Sequence, residues 1–253
     1  MKKFDHINIR NASFSVTLIF FVHIAVGQVA DDDSLKIENL KKQSFTNYIF
    51  PATCVSYGIT SMFVPSIRDI DFDIRDNQSG YQETTADDYL IYAPLVSNLA
   101  LSWGGVLSKN RLRDKALIYL MSTGLNAVLV YPTKKITSRA RPDNSDFHSF
   151  PSGHTSNAFV GAEFFWQEYK DKSKLLASSG YIIAATTGYL RIRNNKHWLS
   201  DVVAGAGTGI LSTRLVYHFY PKISKILFAD SDKVVLLPFS AYDAKGVTLF
   251  VGL

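Results

Sequence analysis

Residues 134–154 read KKITSRARPDNSDFHSFPSGH, and 155–169 continue TSNAFVGAEFFWQEY. The change of character at Pro151-Ser152-Gly153-His154 decides the fold. A polar, basic, Pro-containing loop gives way to an apolar run with helix-start chemistry. Ser152 can cap the first turn, and Gly153 lets a ligand approach the backbone closely. The free N–H groups of that turn and the positive end of the helix dipole form an anion site. His154 in the same turn can touch an anion or donate a proton. Taken alone, PSGH is equally an ordinary capped helix start.

Downstream, residues 191–201 read RIRNNKHWLSD. His197 and Asp201 stand four apart, which on a helix places them on one face. A carboxylate there can fix one imidazole nitrogen and leave the other as a free lone pair. That is the arrangement of an activated nucleophile with an orienting acid. As an isolated pair it would read as a surface His-Asp contact at a helix start. Lys134, Arg141 and Arg191 add three cations at the ends of apolar segments, and guanidinium forks suit phosphate oxygens. Singly, each reads as a solvated or snorkelling charge. Gathered at one face with two histidines, they read as an oxyanion-binding set.

The apolar segments around these residues predict successive helices over 89–108, 114–133, 154–168, 176–190 and 200–219. Ser, Thr, Gly and Asn are frequent in them, which permits close helix packing. Asn98 and Asn126 inside them are expected to make interhelical hydrogen bonds. With this order, the basic loops SKNRLRDK (108–115), YKDKSK (169–174) and YPKISK (220–225) fall at one end of the bundle. The candidate site residues fall at the other. A membrane explains that sorting, with the basic loops on the cytoplasmic side. An exported start at residue 28 then makes 43–67 an interfacial or re-entrant segment, with Pro51 and Pro65 in it. The stretch RDIDFDIRDNQSGYQETTADD (68–88) reads as an exposed acidic segment. In the tail, 234–239 and 247–251 read as a β-hairpin.

Composition is consistent with this and excludes other classes. The chain has 253 residues, 47% hydrophobic and 19% charged, and its mean hydropathy is +0.03. Disorder is excluded, and one sizeable core is expected. Formal net charge is +5, but no Lys/Arg block of nucleic-acid type occurs, so no nucleic-acid partner is expected. Residues 1–27 read as a signal peptide or an uncleaved signal anchor: Lys2, Lys3 and Arg10, an apolar run 14–26, then Ala25-Val26-Gly27. The single Cys54 makes no intrachain disulfide and reads as a small buried hydrophobe. The division is thus 1–27 leader, 28–88 exported N-terminal segment with an interfacial helix, 89–220 catalytic bundle and 221–253 tail.

The ordered set Lys134-x6-Arg141-Pro142, Pro151-Ser152-Gly153-His154 and Arg191-x5-His197-x3-Asp201 resembles the three-part signature of the type 2 phosphatidic acid phosphatase superfamily. The resemblance covers about 89–220. Leu190 departs from it, where the family usually has Ser. The resemblance implies an all-α bundle of about six helices, here expected to be membrane-embedded and to carry the short C-terminal β-hairpin. It implies a phosphatase acting on a lipid phosphate monoester or pyrophosphate, of the lipid A, undecaprenyl pyrophosphate or phosphatidic acid class. His197 would form a phosphohistidine, Asp201 would orient it and His154 would protonate the leaving oxygen. Lys134, Arg141, Ser152, Gly153 and Arg191 would hold the phosphate, with no metal or other cofactor. A site facing the periplasm from the bacterial inner membrane is expected. The alternatives are a soluble periplasmic acid phosphatase, a vanadium haloperoxidase and a phosphate- or lipid-binding module without turnover.

Overall fold

The computed structural model describes residues 34–77, 84–228, 234–241 and 244–251, with side chains from residue 46 to residue 228. The leader, 1–27, lies outside the described residues. Eight helices are described: α1 Ser34–Phe63, α2 Pro65–Asp76, α3 Ala86–Leu90, α4 Ala93–Trp103, α5 Leu112–Thr137, α6 Gly153–Tyr169, α7 Lys174–Arg193 and α8 Leu199–Phe228. Strands β1 Val234–Ala241 and β2 Ala244–Val251 pair antiparallel, with Val234 opposite Val251.

The helix starts follow the local chemistry. Ser152 caps α6, and Ser173 caps α7 by accepting from Leu176 N–H at 3.2 Å. Pro65 opens α2 and Pro94 lies in the first turn of α4, where a missing N–H costs nothing. Pro51 lies inside α1 without ending it.

Helix α6 is the central element and packs against α7 and α8, while α1 packs along α8. Glycines allow the closest approaches. A Cβ on Gly209 would lie on the Ser156 carbonyl, and one on Gly207 on the Pro51 carbonyl. Apolar contacts among Ile118, Phe164, Val216 and Tyr220 tie α5, α6 and α8 together. Asn126 on α5 donates to Asn157 Oδ1 at 2.8 Å and to Ser156 Oγ at 3.1 Å on α6. Lys115 on α5 donates to Asn98 Oδ1 on α4 at 3.2 Å. Both asparagines therefore bond between helices, as the sequence predicts.

Three expectations change. Of residues 43–67, expected as an interfacial or re-entrant segment, those up to Phe63 instead run lengthwise and antiparallel to α8, and Pro65 opens α2. Asn47 meets Arg214 near one end, and Gly58 meets Ala204 near the other. The helix expected over 89–108 is realised as α3 and α4, broken ahead of Pro94. Together they still traverse the bundle, from Asp87 beside Arg191 to Ser102 beside Tyr169. The acidic stretch 68–88 is not uniformly exposed: Asp71 and Asp87 are buried. Cys54 is half-buried, at the close approach of α1 to Gly207.

The basic loops do gather at one end. The Lys109 N–H donates to the Glu168 carbonyl at 3.1 Å, and Tyr220 Oη donates to Asp114 at 2.6 Å. The opposite end holds the C-terminus of α5, the N-termini of α6 and α8, the C-terminus of α7 and the helices α2 and α3.

Candidate active site

His197 lies in the turn between α7 and α8, and Asp201 in the first turn of α8. Both are buried. The turn is held by the Arg191 carbonyl, which accepts the N–H groups of Lys196 and His197. His197 Nδ1 stands 3.7 Å from Asp201 Oδ2, too far for a direct hydrogen bond. Ser149 spans the gap: its Oγ donates to Asp201 Oδ2 and lies 3.4 Å from His197 Nδ1. With that hydroxyl proton on Asp201, Ser149 is left to accept the Nδ1 proton. Nε2 then keeps its lone pair.

Asp201 is fixed from every side. Arg139 donates to Oδ1 at 2.7 Å, and the Trp198 N–H donates to Oδ2 at 3.0 Å. The second arm of the Arg139 fork reaches Asp71 Oδ2 at 2.8 Å, and Asp71 accepts from the N–H and hydroxyl of Ser200. Helix α2 therefore braces the start of α8 through one guanidinium between two buried carboxylates. Burial drives the His197 imidazole down to about 4. The Asp201 carboxylate opposes that shift, while the Lys134 and Arg191 charges add to it. His197 is thus neutral over the whole physiological range.

The anion-binding expectations also come together here. Ser152 starts α6 with its Oγ accepting from Thr155, and its N–H donates to the Asp201 carbonyl at 3.0 Å. That bond joins the starts of α6 and α8. Lys134 donates to the His148 carbonyl at 2.6 Å, and its Cε lies 3.6 Å from where a Cβ on Gly153 would stand. Arg141 is held by Asp146 at 2.8 Å. Arg191 donates to Asp87 Oδ2 at 2.6 Å, while its Nε is buried without a hydrogen-bond partner. His154 Nε2 lies 2.9 Å from Asp88.

All eight sequence-chosen residues, His197, His154, Asp201, Lys134, Arg141, Ser152, Gly153 and Arg191, lie at this end of the bundle. Sequence reasoning missed Ser149 and Arg139, which lie inside the quoted loop, and Asp71, Asp87 and Asp88, which lie in the acidic stretch. His148 is half-exposed. Trp198 is buried, edge-on to Phe72, with its indole N–H on the Ala140 carbonyl. Asp143 pairs with Lys196 at 3.1 Å and so ties the loop after α5 to the turn before α8.

The three sequence motifs thus converge at one end of an all-α bundle. Residues 115–225 match the PAP2 superfamily model. Over 159 residues the chain is 35% identical to the lipid A 1-phosphatase of Porphyromonas gingivalis, covering 62% of this chain and 35% of that protein. Over 122 residues it is 30% identical to the phosphatidylglycerophosphatase B of Bacillus subtilis, covering 43% of this chain and 60% of that one. The chain thus spans about a third of the first relative's length. The fold resembles the crystal structure of a transmembrane PAP2-type phosphatidylglycerolphosphate phosphatase from Bacillus subtilis. The TM-score is 0.52 at 22% identity, over 69% of this chain and 97% of that one.

Proposed function

We propose that this protein is a lipid phosphatase that hydrolyses a phosphate monoester or pyrophosphate through a phosphohistidine on His197. The observation that carries this reading is the buried, neutral His197, whose Nδ1 is satisfied through Ser149 and Asp201 while Nε2 is left as nucleophile. In-line attack by Nε2 forms the N–P bond as the ester P–O bond breaks, and His154 gives its proton to the departing oxygen. Lys134, Arg141, Arg191, Ser152 and the Gly153 N–H bind the non-bridging oxygens as charge redistributes. Water then cleaves the N–P bond with His154 as base.

A lipid substrate is supported by the outside of the bundle. Helix α5 is long and apolar enough to cross a membrane. Leu120, Val128 and Tyr131 on α5, Ile182 and Tyr189 on α7, and Val96 and Leu99 on α4 turn outward. An outward apolar belt with charge at both ends suits hydrocarbon. With the basic loops cytoplasmic, the site faces the periplasm. Among lipid phosphates, the lipid A class is favoured by the identity to the Porphyromonas gingivalis protein.

The test is phosphate release by purified protein from lipid A, undecaprenyl pyrophosphate, phosphatidic acid and a soluble ester, with His197→Ala as control. Release from lipid A ahead of the soluble ester supports the reading. Release only from the soluble ester overturns its lipid part, and no release from any of them overturns the phosphatase itself.

A further inference from the structure

We propose that Asp88 on α3 is a positioning residue for His154, fixing the tautomer and charge of the group that protonates the leaving oxygen. The inference rests on the phosphatase reading above and goes beyond the family match, which begins only at residue 115.

The geometry is specific. His154 Nε2 is 2.9 Å from Asp88 Oδ1, a distance at which the carboxylate accepts the Nε2 proton. Nδ1 is then the nitrogen that carries the transferable proton. Adjacent Asp87 accepts from Arg191 at 2.6 Å and from Asn194 Nδ2 at 3.1 Å. Asn194 in turn grips the backbone of Thr84 through both its amide groups, at 2.7 and 3.2 Å. Helix α3 is therefore pinned to the C-terminal end of α7, which holds the backbone of half-exposed Asp88 beside the imidazole it meets.

The charges around His154 are opposed. Asp87 and Asp88 approach from α3 and Arg191 from α7, while Lys134 lies beside Gly153, one residue away. Burial is the largest influence and holds the His154 imidazole below its ordinary value; Arg191 adds to that shift, and Asp88 and then Asp87 oppose it. A proton donor in this setting needs a local carboxylate to stay charged. In the chemical step, the imidazolium proton passes from Nδ1 to the alcohol oxygen as the P–O bond breaks. Asp88 stays ionised throughout and gains or loses nothing.

The experiment compares wild type, Asp88→Asn and Asp88→Glu on two esters. Phosphatidic acid has a poor alcohol leaving group that needs protonation, whereas p-nitrophenyl phosphate has one that leaves unaided. General acid assistance is worth about 10²–10⁴-fold. Losing its orienting carboxylate should lower kcat on phosphatidic acid by about 10–100-fold, with less than about threefold loss on the aryl ester. The basic limb of the pH profile should move to lower pH, and Asp88→Glu should recover most of the activity. Equal losses on both esters, or none, overturn the proposal. So does a fall in KM at unchanged kcat, because that is what a carboxylate merely occupying the phosphate site would give. A wild-type protein inactive on these esters and on lipid A and undecaprenyl pyrophosphate overturns the phosphatase reading first and this inference with it.

Discussion

The two ends of the bundle both bury charge, and they do it in opposite ways. At the basic-loop end, Glu163 and Glu168 are buried and satisfied. Glu163 accepts from Gln167, Tyr181 and Arg214, and Glu168 from Asn110 and Tyr217. At the other end, His197 has one nitrogen engaged, Arg191 has a buried Nε without a partner, and His154 is part-exposed. A saturated network fixes packing; one with spare valences can bind and react. Neither burial nor one unspent donor marks an active site, since Asn98 Nδ2 near the basic-loop end is also buried without a partner; what sets the other end apart is that such groups gather there with two histidines and three cations.

The largest expected effect is at the reactive end. His197→Ala should lower phosphate release by roughly 10⁴-fold or more, since it removes the proposed nucleophile. Residual turnover within tenfold of wild type would move the nucleophile elsewhere. Arg139→Ala comes next, because it strands two buried carboxylates, Asp71 and Asp201. A loss of about 3–5 kcal/mol is expected, read by denaturant unfolding, together with a large fall in kcat. Ser149→Ala should cost about tenfold in kcat with little change in KM, by uncoupling His197 from Asp201.

The pH profile sharpens the contrast. His197 sits near 4 when folded, below the ordinary histidine value of 6.5. The unfolded chain therefore binds the extra proton between those values, so this group's contribution to stability is present above about 6.5 and is lost as pH falls towards 4. The acid limb of kcat/KM should likewise fall near pH 4; a limb near 6.5 would show an open, solvated imidazole. The smallest catalytic effect is expected at the far end. Glu163→Gln should leave kcat within about twofold while lowering the unfolding midpoint, since it removes the partner of half-buried Arg214. A comparable loss of kcat there would erase the distinction between the two ends.

What the sequence revealed follows the length scale of each interaction. His197 and Asp201 are four residues apart and the PSGH turn is contiguous, so both are short-range features, although His197 lies in the turn ahead of α8 and not on the helix that the spacing suggested. Interhelical bonds at Asn98 and Asn126 were legible because an amide in an apolar run needs a partner. Arg139 and Ser149 lie within the same loop, yet their roles depend on Asp201, some 50–60 residues later, and no local pattern encodes that. Asp71, Asp87 and Asp88 were read as part of a solvated stretch because acid-rich composition favours solvent. Buried guanidinium and amide partners on distant helices reverse that expectation for Asp71 and Asp87. The lengthwise course of α1 was missed for another reason. An exported start at residue 28 argued against a full pass there, whereas the small residues of α8 admit a helix that runs unbroken through Pro51 to Phe63.

That course of α1 settles a count. The chain runs along α1 to the reactive end, returns through α3 and α4, and alternates through α5, α6, α7 and α8. Among the described residues these are six passes, an even number, so the chain enters α1 and leaves α8 at the same end, away from the candidate site. In a bundle that spans a membrane, the compartment that holds the basic loops would also hold both approaches to the bundle. Reporters fused ahead of residue 34 and after residue 228 should give one answer, and a cysteine label at residue 144 the opposite one.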